Sequence, residues 1–257
     1  MTDRPGFADA RVLVVGMGGL GCPAALALAG AGVGTLVLAD DDVVEESNLH
    51  RQLLYALADV GADKLDAAGR ALSESFPATR VELVRSRLLP ENARALVRSV
   101  DVVVEGADNF ATKFLACDAA WLERVPVVHS AAIRWVGTAW AVGPRGRPCY
   151  RCLFEDVPGG AQESCDAAGV LGPVVGLVGA LAAELVLSVL SGDPSVFGVV
   201  CGYDGKRDRL RPTPVAARPE CPLCGVAPTV LDVAEARYLA PARAATCGAP
   251  SPEAPAQ

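Results

Sequence analysis

Along the first 130 residues the apolar positions come as short, nearly unbroken runs. Between the runs, apolar residues recur every three or four positions. Arg11–Val15 is largely apolar, as a strand buried on both faces must be, and Thr35–Ala39, Val81–Val84, Val100–Val104 and Val125–Val128 repeat the pattern. Ala24–Ala31, Asp63–Ser75 and Thr112–Arg124 read as helices, the first closed by Gly32 and Gly34. Strands alternating with helices predict an α/β fold, a Rossmann-like doubly wound and mostly parallel sheet whose first βαβ unit takes about thirty residues.

The pattern changes after residue 130. Val136–Val142 and Val196–Tyr203 read as strands and Arg207–Val215 as a short extended segment, which predicts an antiparallel C-terminal extension. Ala167–Leu190 is apolar enough to pass for a membrane span. Glu184, four glycines and Pro173 within it instead predict a buried helix that starts near Pro173. Residues 153–168 form an irregular crossover rich in Gly, Pro and acids, and a long loop inside a compact domain is usually functional or mobile. The expected organisation is one domain over 1–239 and a disordered Ala/Pro-rich tail over 240–257.

Charge and cysteine content narrow the chemistry. A net charge of -7 and the absence of a basic block argue against a nucleic-acid partner. Met1–Ala10 has no apolar core of a signal peptide, and the nine cysteines are an odd number, so a reducing cytoplasm is expected, with no membrane partner. In that setting Cys149-x-x-Cys152 and Cys221-x-x-Cys224 are the ligand set of a tetrahedral four-thiolate zinc site. Such a site is closed to water and therefore structural, and it ties distant segments together.

The loop after the first strand carries the second chemistry. Gly16, Gly18 and Gly21 fit G-x-G-x-x-G between a strand and a helix, where the backbone turns tightly and a helix N-terminus attracts phosphate. Asp40 closes the second strand, where an acid would take a ribose hydroxyl. Cys22-Pro23 stand where a P-loop has Lys-Ser/Thr, so the loop supplies no cation to a triphosphate. Arg51 and Lys64, both near the same sheet edge, are the candidates to supply it. Asp108 follows the fourth strand at the C-terminal edge of the sheet, placed to hold Mg²⁺ beside phosphate, to cap the next helix, or both.

Taken in order, these pieces resemble the HesA/MoeB/ThiF family of ubiquitin-activating-like enzymes, from about residue 10 to 225. The resemblance is carried by Gly16-x-Gly18-Gly19-Leu-Gly21, Asp40-Asp-Asp, Ser47-Asn48-Leu-x-Arg51-Gln52, Gly-x-x-Lys64, Ala-Asp108-Asn, the two cysteine pairs, and Cys165 shortly before Ala-Gly-Val-Leu-Gly-Pro. It implies an adenylyltransferase that uses ATP to adenylate the C-terminal Gly-Gly carboxylate of a small ubiquitin-like sulfur carrier protein of the MoaD/ThiS type. Pyrophosphate is released, in the service of molybdopterin or thiamin biosynthesis. By the same resemblance Asp40 holds the ribose, the glycine loop with Asn48, Arg51 and Lys64 meets the phosphates, and Asp108 serves Mg²⁺. Cys149, Cys152, Cys221 and Cys224 bind Zn²⁺. Cys165 is the position that takes the activated carrier covalently in some members, although the neighbouring Glu163 and Asp166 raise a thiol pKa. A homodimer is expected. The family usually adds an N-terminal segment with an arginine that reaches the partner's ATP site; here Arg4 is the sole cation before Arg11. The stretch after Cys224 is too short for the rhodanese-like domain of some relatives, so sulfur delivery is expected from another protein.

His50 and His129 read as structural, and Cys22, Cys117, Cys201 and Cys247 as packing residues. Three further readings stay open: a relative that activates a peptide C-terminus, a non-catalytic scaffold that binds the carrier, and a nicotinamide-dependent oxidoreductase. Arg51, Lys64 and the lack of a Tyr-x-x-x-Lys pair weigh against the last.

Overall fold

The computed structural model describes residues 6–157 and 169–238. Eight strands form one sheet in the order β3-β2-β1-β4-β5-β6-β7-β8. β1 (Arg11–Val15), β2 (Thr35–Asp40), β3 (Arg80–Arg85), β4 (Val102–Glu105) and β5 (Val127–Ile133) are parallel. β6 (Val136–Val142), β7 (Val199–Asp204) and β8 (Arg209–Pro214) continue the sheet antiparallel. The chain leaves β1 in one direction for β2 and β3, then crosses back to β4 on the other side. That reversal opens a crevice at the C-terminal ends of β1 and β4.

Alternation along the strands builds two cores. Val12, Val14, Val102 and Val104 face α1 (Gly21–Gly30), α2 (Lys64–Ser75) and a long helix, while Leu13, Val15 and Val103 face α3 (Pro90–Arg98) and α4 (Phe110–Glu123). Among the described residues the remaining α-helices are α5 (Tyr150–Leu153) and the long α6 (Gly172–Leu190).

The doubly wound sheet and its antiparallel extension are as the sequence pattern predicts. α6 is long and apolar enough to cross a membrane, yet Val174, Val178, Ala182 and Val186 are buried in the first core and Glu184 is exposed. A Cβ at Gly179 would stand 2.5 Å from Pro23 Cγ and 2.6 Å from the Leu20 carbonyl oxygen, so only glycine lets α6 lie directly on the start of α1. Two elements depart from the pattern. α3 is additional: it starts at Pro90 and buries only Ala93 and Val97, too narrow a stripe to stand out in the sequence. β5 runs on to Ile133, in register with β6 from Val127↔Val142 to Ile133↔Val136, because Arg134 adopts φ 53° and closes a tight hairpin. The 240–257 tail and most of the irregular crossover, Cys165 included, lie outside the described residues.

Candidate functional site: a cleft at the switch point and a four-cysteine cluster

The loop after β1 is shaped by contact between its own ends. A Cβ at position 21 would lie 1.9 Å from the Gly16 carbonyl oxygen, so Gly21 is what allows α1 to begin there. Gly21 thus sits behind the loop, while Gly16, Gly18 and Gly19 line a cleft of about 370 Å³. No side chain caps α1. Among the described residues, the N–H groups of Gly18, Gly19 and Leu20 have no partner. Unpaired donors at a helix N-terminus form a site for an anion.

Asp40, Asn48, Arg51, Lys64 and Asp108 line the same cleft, so the fold brings together the residues singled out from the sequence. Asp40 is engaged by the protein itself: it accepts from the Met17 N–H at 2.6 Å and the Asp42 N–H at 2.8 Å, which ties β2 to the glycine loop. Arg51 lies across the loop. A Cβ at Gly19 would meet its Cγ and Cδ at 3.4 Å, and its Nη1 is 3.4 Å from His50 Nε2. His50 is exposed and its Nδ1–H donates to the Ser47 carbonyl at 2.9 Å, a local role. Lys64 opens α2 just after its N-cap, Asp63, and donates to Asp42 at 3.0 Å. The Asn48 amide donates to Glu45 at 3.2 Å. Asn109 caps α4 by accepting from the Thr112 N–H at 2.9 Å, so the capping role falls to Asn109 and Asp108 turns to the cleft.

Other charged residues at the cleft went unremarked in the sequence. Arg87, two residues past the end of β3, donates to Asp41 at 2.7 Å and Asp42 at 3.3 Å. Burial pushes the Asp42 carboxyl up, but Lys64 and Arg87 outweigh it and hold the group below the ordinary aspartate value. Under the cleft lies a buried cluster. Lys113 donates to both carboxylate oxygens of Glu105, at 3.2 and 2.9 Å, and to the Ser130 carbonyl at 2.7 Å. His129 Nδ1 donates to Glu105 at 3.2 Å. Burial alone would raise the Glu105 carboxyl; Lys113 and His129 outweigh it and keep it below the ordinary glutamate value. Burial lowers the His129 pKa more than Glu105 raises it, so the ring is neutral. The one sequence signal for this cluster was a glutamate ending an all-valine run.

On the flank beyond α4, the Sγ atoms of Cys149, Cys152, Cys221 and Cys224 lie within 4.8 Å of one another, all buried. Cys149 and Cys221 are 3.5 Å apart, and Cys152 and Cys224 3.4 Å. Thiolates at about 2.3 Å from a tetrahedral zinc are separated by roughly 3.8 Å, so the cluster fits the ion with little adjustment. The Arg218 N–H approaches Cys152 Sγ at 3.4 Å, a donor to a ligand sulfur. A hydrogen bond with Cys117, then burial, raises the Cys149 thiol; a hydrogen bond with Cys149, then burial, raises Cys224. A cation at the centre of the cluster would favour the thiolate form of all four. The free Cys22 thiol is buried in the core, and burial pushes it up to about 12, as expected of a packing residue.

Fold and site together define a Rossmann-type α/β protein with an anion-ready cleft at its switch point and a four-cysteine cluster fit for a metal on its flank. Residues 6–223 match the ThiF family, and the chain belongs to that family. It is 42% identical over 224 residues to the adenylyltransferase and sulfurtransferase MOCS3 of Anopheles gambiae, covering 86% of this chain and 51% of that protein. It is 41% identical over 219 residues to the SAMP-activating enzyme E1 of Haloferax volcanii, covering 84% of this chain and 81% of that one. The chain thus spans about half the length of the MOCS3 relative. Crystal structures of MccB from E. coli share the fold: the complex with MccA-N7isoASN has a TM-score of 0.75 at 22% identity, covering 85% of this chain and 68% of MccB.

Proposed function

We propose that this protein is an ATP-dependent adenylyltransferase of a small ubiquitin-like sulfur carrier, acting on a C-terminal Gly-Gly carboxylate. The observation that carries the reading is the convergence of α1's unpaired N–H groups with Arg51 and Lys64 over one cleft that also receives Asp108. Unpaired N–H groups serve any phosphate. Two cations from outside the loop suit a triphosphate better than a dinucleotide, which tells against nicotinamide chemistry.

In this reading the carrier carboxylate, already ionised, attacks the α-phosphorus and pyrophosphate leaves. Little proton transfer is required, so the protein contributes position and charge. The loop N–H groups, Asn48, Arg51 and Lys64 hold the phosphates, and Asp40, braced by Met17, meets the ribose through the second lone pairs of its carboxylate. Lys64 exchanges its bond to Asp42 for one to phosphate. Asp108 would hold Mg²⁺, which neutralises phosphate charge when bound. The four cysteines would hold Zn²⁺ in a closed, structural site. The names of the MOCS3 and SAMP-activating relatives support this substrate class. A MoaD- or ThiS-like carrier in molybdopterin or thiamin synthesis, a homodimer, a cytoplasmic location and an acyl-accepting role for Cys165 complete the proposal.

The test is ATP–pyrophosphate exchange with purified protein, Mg²⁺ and a panel of carriers ending in Gly-Gly. Carrier-dependent exchange is expected. Tight carrier binding with no exchange from any of them would replace this reading with that of a scaffold.

A further inference from the structure

We propose that Glu105 is a positioning residue for the divalent cation: through the backbone of Ala107 it sets the turn that delivers Asp108 into the cleft. The inference rests on the nucleotide reading of that cleft. Glu105 ends β4 and is fully buried. Its Oε1 accepts from the Ala107 N–H at 2.7 Å, two residues on. The preceding amide, Gly106 N–H, donates to the Val15 carbonyl at 3.0 Å. Both amides before Asp108 are therefore fixed, one to the neighbouring strand and one to the buried carboxylate. The turn also leans on the glycine loop: a Cβ at Gly16 would touch Ala107 Cα and N at 3.5 Å.

A carboxylate with no exposed surface is costly, and only a full set of donors sustains it. Lys113 and His129 provide them. Lys113 borders the cleft, yet its three N–H donors are all spent inward, on two Glu105 oxygens and the Ser130 carbonyl. It has no donor left for a phosphate. Its role is to keep Glu105 ionised, and the pair adds no net charge to the cleft. Outer groups that orient a metal-holding carboxylate control cation affinity, commonly by 10–100-fold.

The charge-neutral double variant Glu105→Leu/Lys113→Met removes the Ala107 tether without leaving a buried unpaired charge. The measurement is Mn²⁺ bound to the protein with a non-hydrolysable ATP analogue, read by electron paramagnetic resonance, alongside analogue affinity in EDTA. The expected result is Mn²⁺ affinity weakened about 10-fold, with metal-free analogue affinity within about threefold of the parent. In an Asp108→Asn background the same pair should change Mn²⁺ affinity less than about twofold, since a residue acting through Asp108 has nothing left to act on. Glu105→Asp, which keeps the charge but shortens the reach, should give an intermediate loss and serves if the double variant does not fold. Parent-like Mn²⁺ affinity in the folded variant, or an equal loss in the Asp108→Asn background, overturns the inference alone. Failure of the parent protein to bind the analogue at all overturns the nucleotide reading, and this inference with it.

Discussion

The cleft and the cysteine flank place their charged and polar groups differently. On the flank the central buried charges are matched, although Trp121 Nε1 and Arg218 Nε have no hydrogen-bond partner among the described residues. The Arg151 guanidinium, 2% exposed, grips Asp118 with two bonds of 2.8 and 2.9 Å, Tyr238 donates to the same carboxylate at 3.0 Å, and Arg151 stacks 4.6 Å over Phe114. The four thiols close around one point. At the cleft, three loop N–H groups and the buried Gln52 Oε1 have no protein partner among the described residues. A buried polar group without a partner costs about 1–3 kcal/mol. Under the proposed function a bound nucleotide would relieve that cost at the cleft, whereas the Arg151–Asp118 pair on the flank is already satisfied within the protein. Tyr150 joins the two regions: it follows Cys149 in the chain, and its ring centroid lies 4.6 Å from that of His129, beneath the cleft.

The contrast can be broken most severely at the four cysteines. Cys221→Ser should yield protein without zinc by elemental analysis and a Tm lower by about 10 °C, the scale of several kcal/mol in a domain of this size. Parent-like zinc content or Tm would deny the clamp. Next is Arg151→Met, which leaves the buried Asp118 carboxylate without its cation and with only the Tyr238 hydroxyl as side-chain donor, and should cost about 3–5 kcal/mol in urea unfolding. Affinity for an ATP analogue should change little, because Arg151 belongs to the flank. A large loss of affinity would erase the division between the regions.

Arg51→Ala tests the other side. It should cost roughly 2–4 kcal/mol of transition-state stabilisation in pyrophosphate exchange with Tm almost unchanged. An exchange rate within about threefold of the parent would remove Arg51 from the site.

The smallest effect is set by pH. His129 titrates below its ordinary value of 6.5 in the fold, so as pH falls through 6.5 the unfolded chain takes up a proton that the folded protein refuses. Stability should fall on the acid side of that point, by up to about 1.4 kcal/mol per pH unit while only the unfolded state is protonated. Glu105, held below its ordinary 4.5, adds a second loss in more acid solution. Tm measured from pH 7.5 to 5.5 should decline, and His129→Asn should flatten that decline; an unchanged slope would assign it to other groups.

Much of both regions was legible beforehand because its signals are local. The G-x-G-x-x-G spacing, the runs of valine and leucine and the two Cys-x-x-Cys pairs each report on a few neighbouring residues. α3 was illegible because it buries only Ala93 and Val97, and the true length of β5 because a tight turn at Arg134 separates two strands whose pattern alone does not say where they pair. Glu105 and Lys113 look in sequence like a strand end and a helix cation. Nothing eight residues apart announces that they share a buried bond.

The amino-acid sequence by itself determined the alternating α/β plan, the glycine turn and the paired cysteines that come together in one cluster, because periodicity and spacing follow from backbone geometry. Only the tertiary structure decided which charges are spent within the protein and which stay open to a ligand. Asp40 is braced by Met17, Lys113 is consumed by Glu105, and Asn109 caps α4 in place of Asp108. The physical reason is that a donor's partner is settled by whichever segment the packing brings within about 3 Å, and the chain's order along its length does not record that distance.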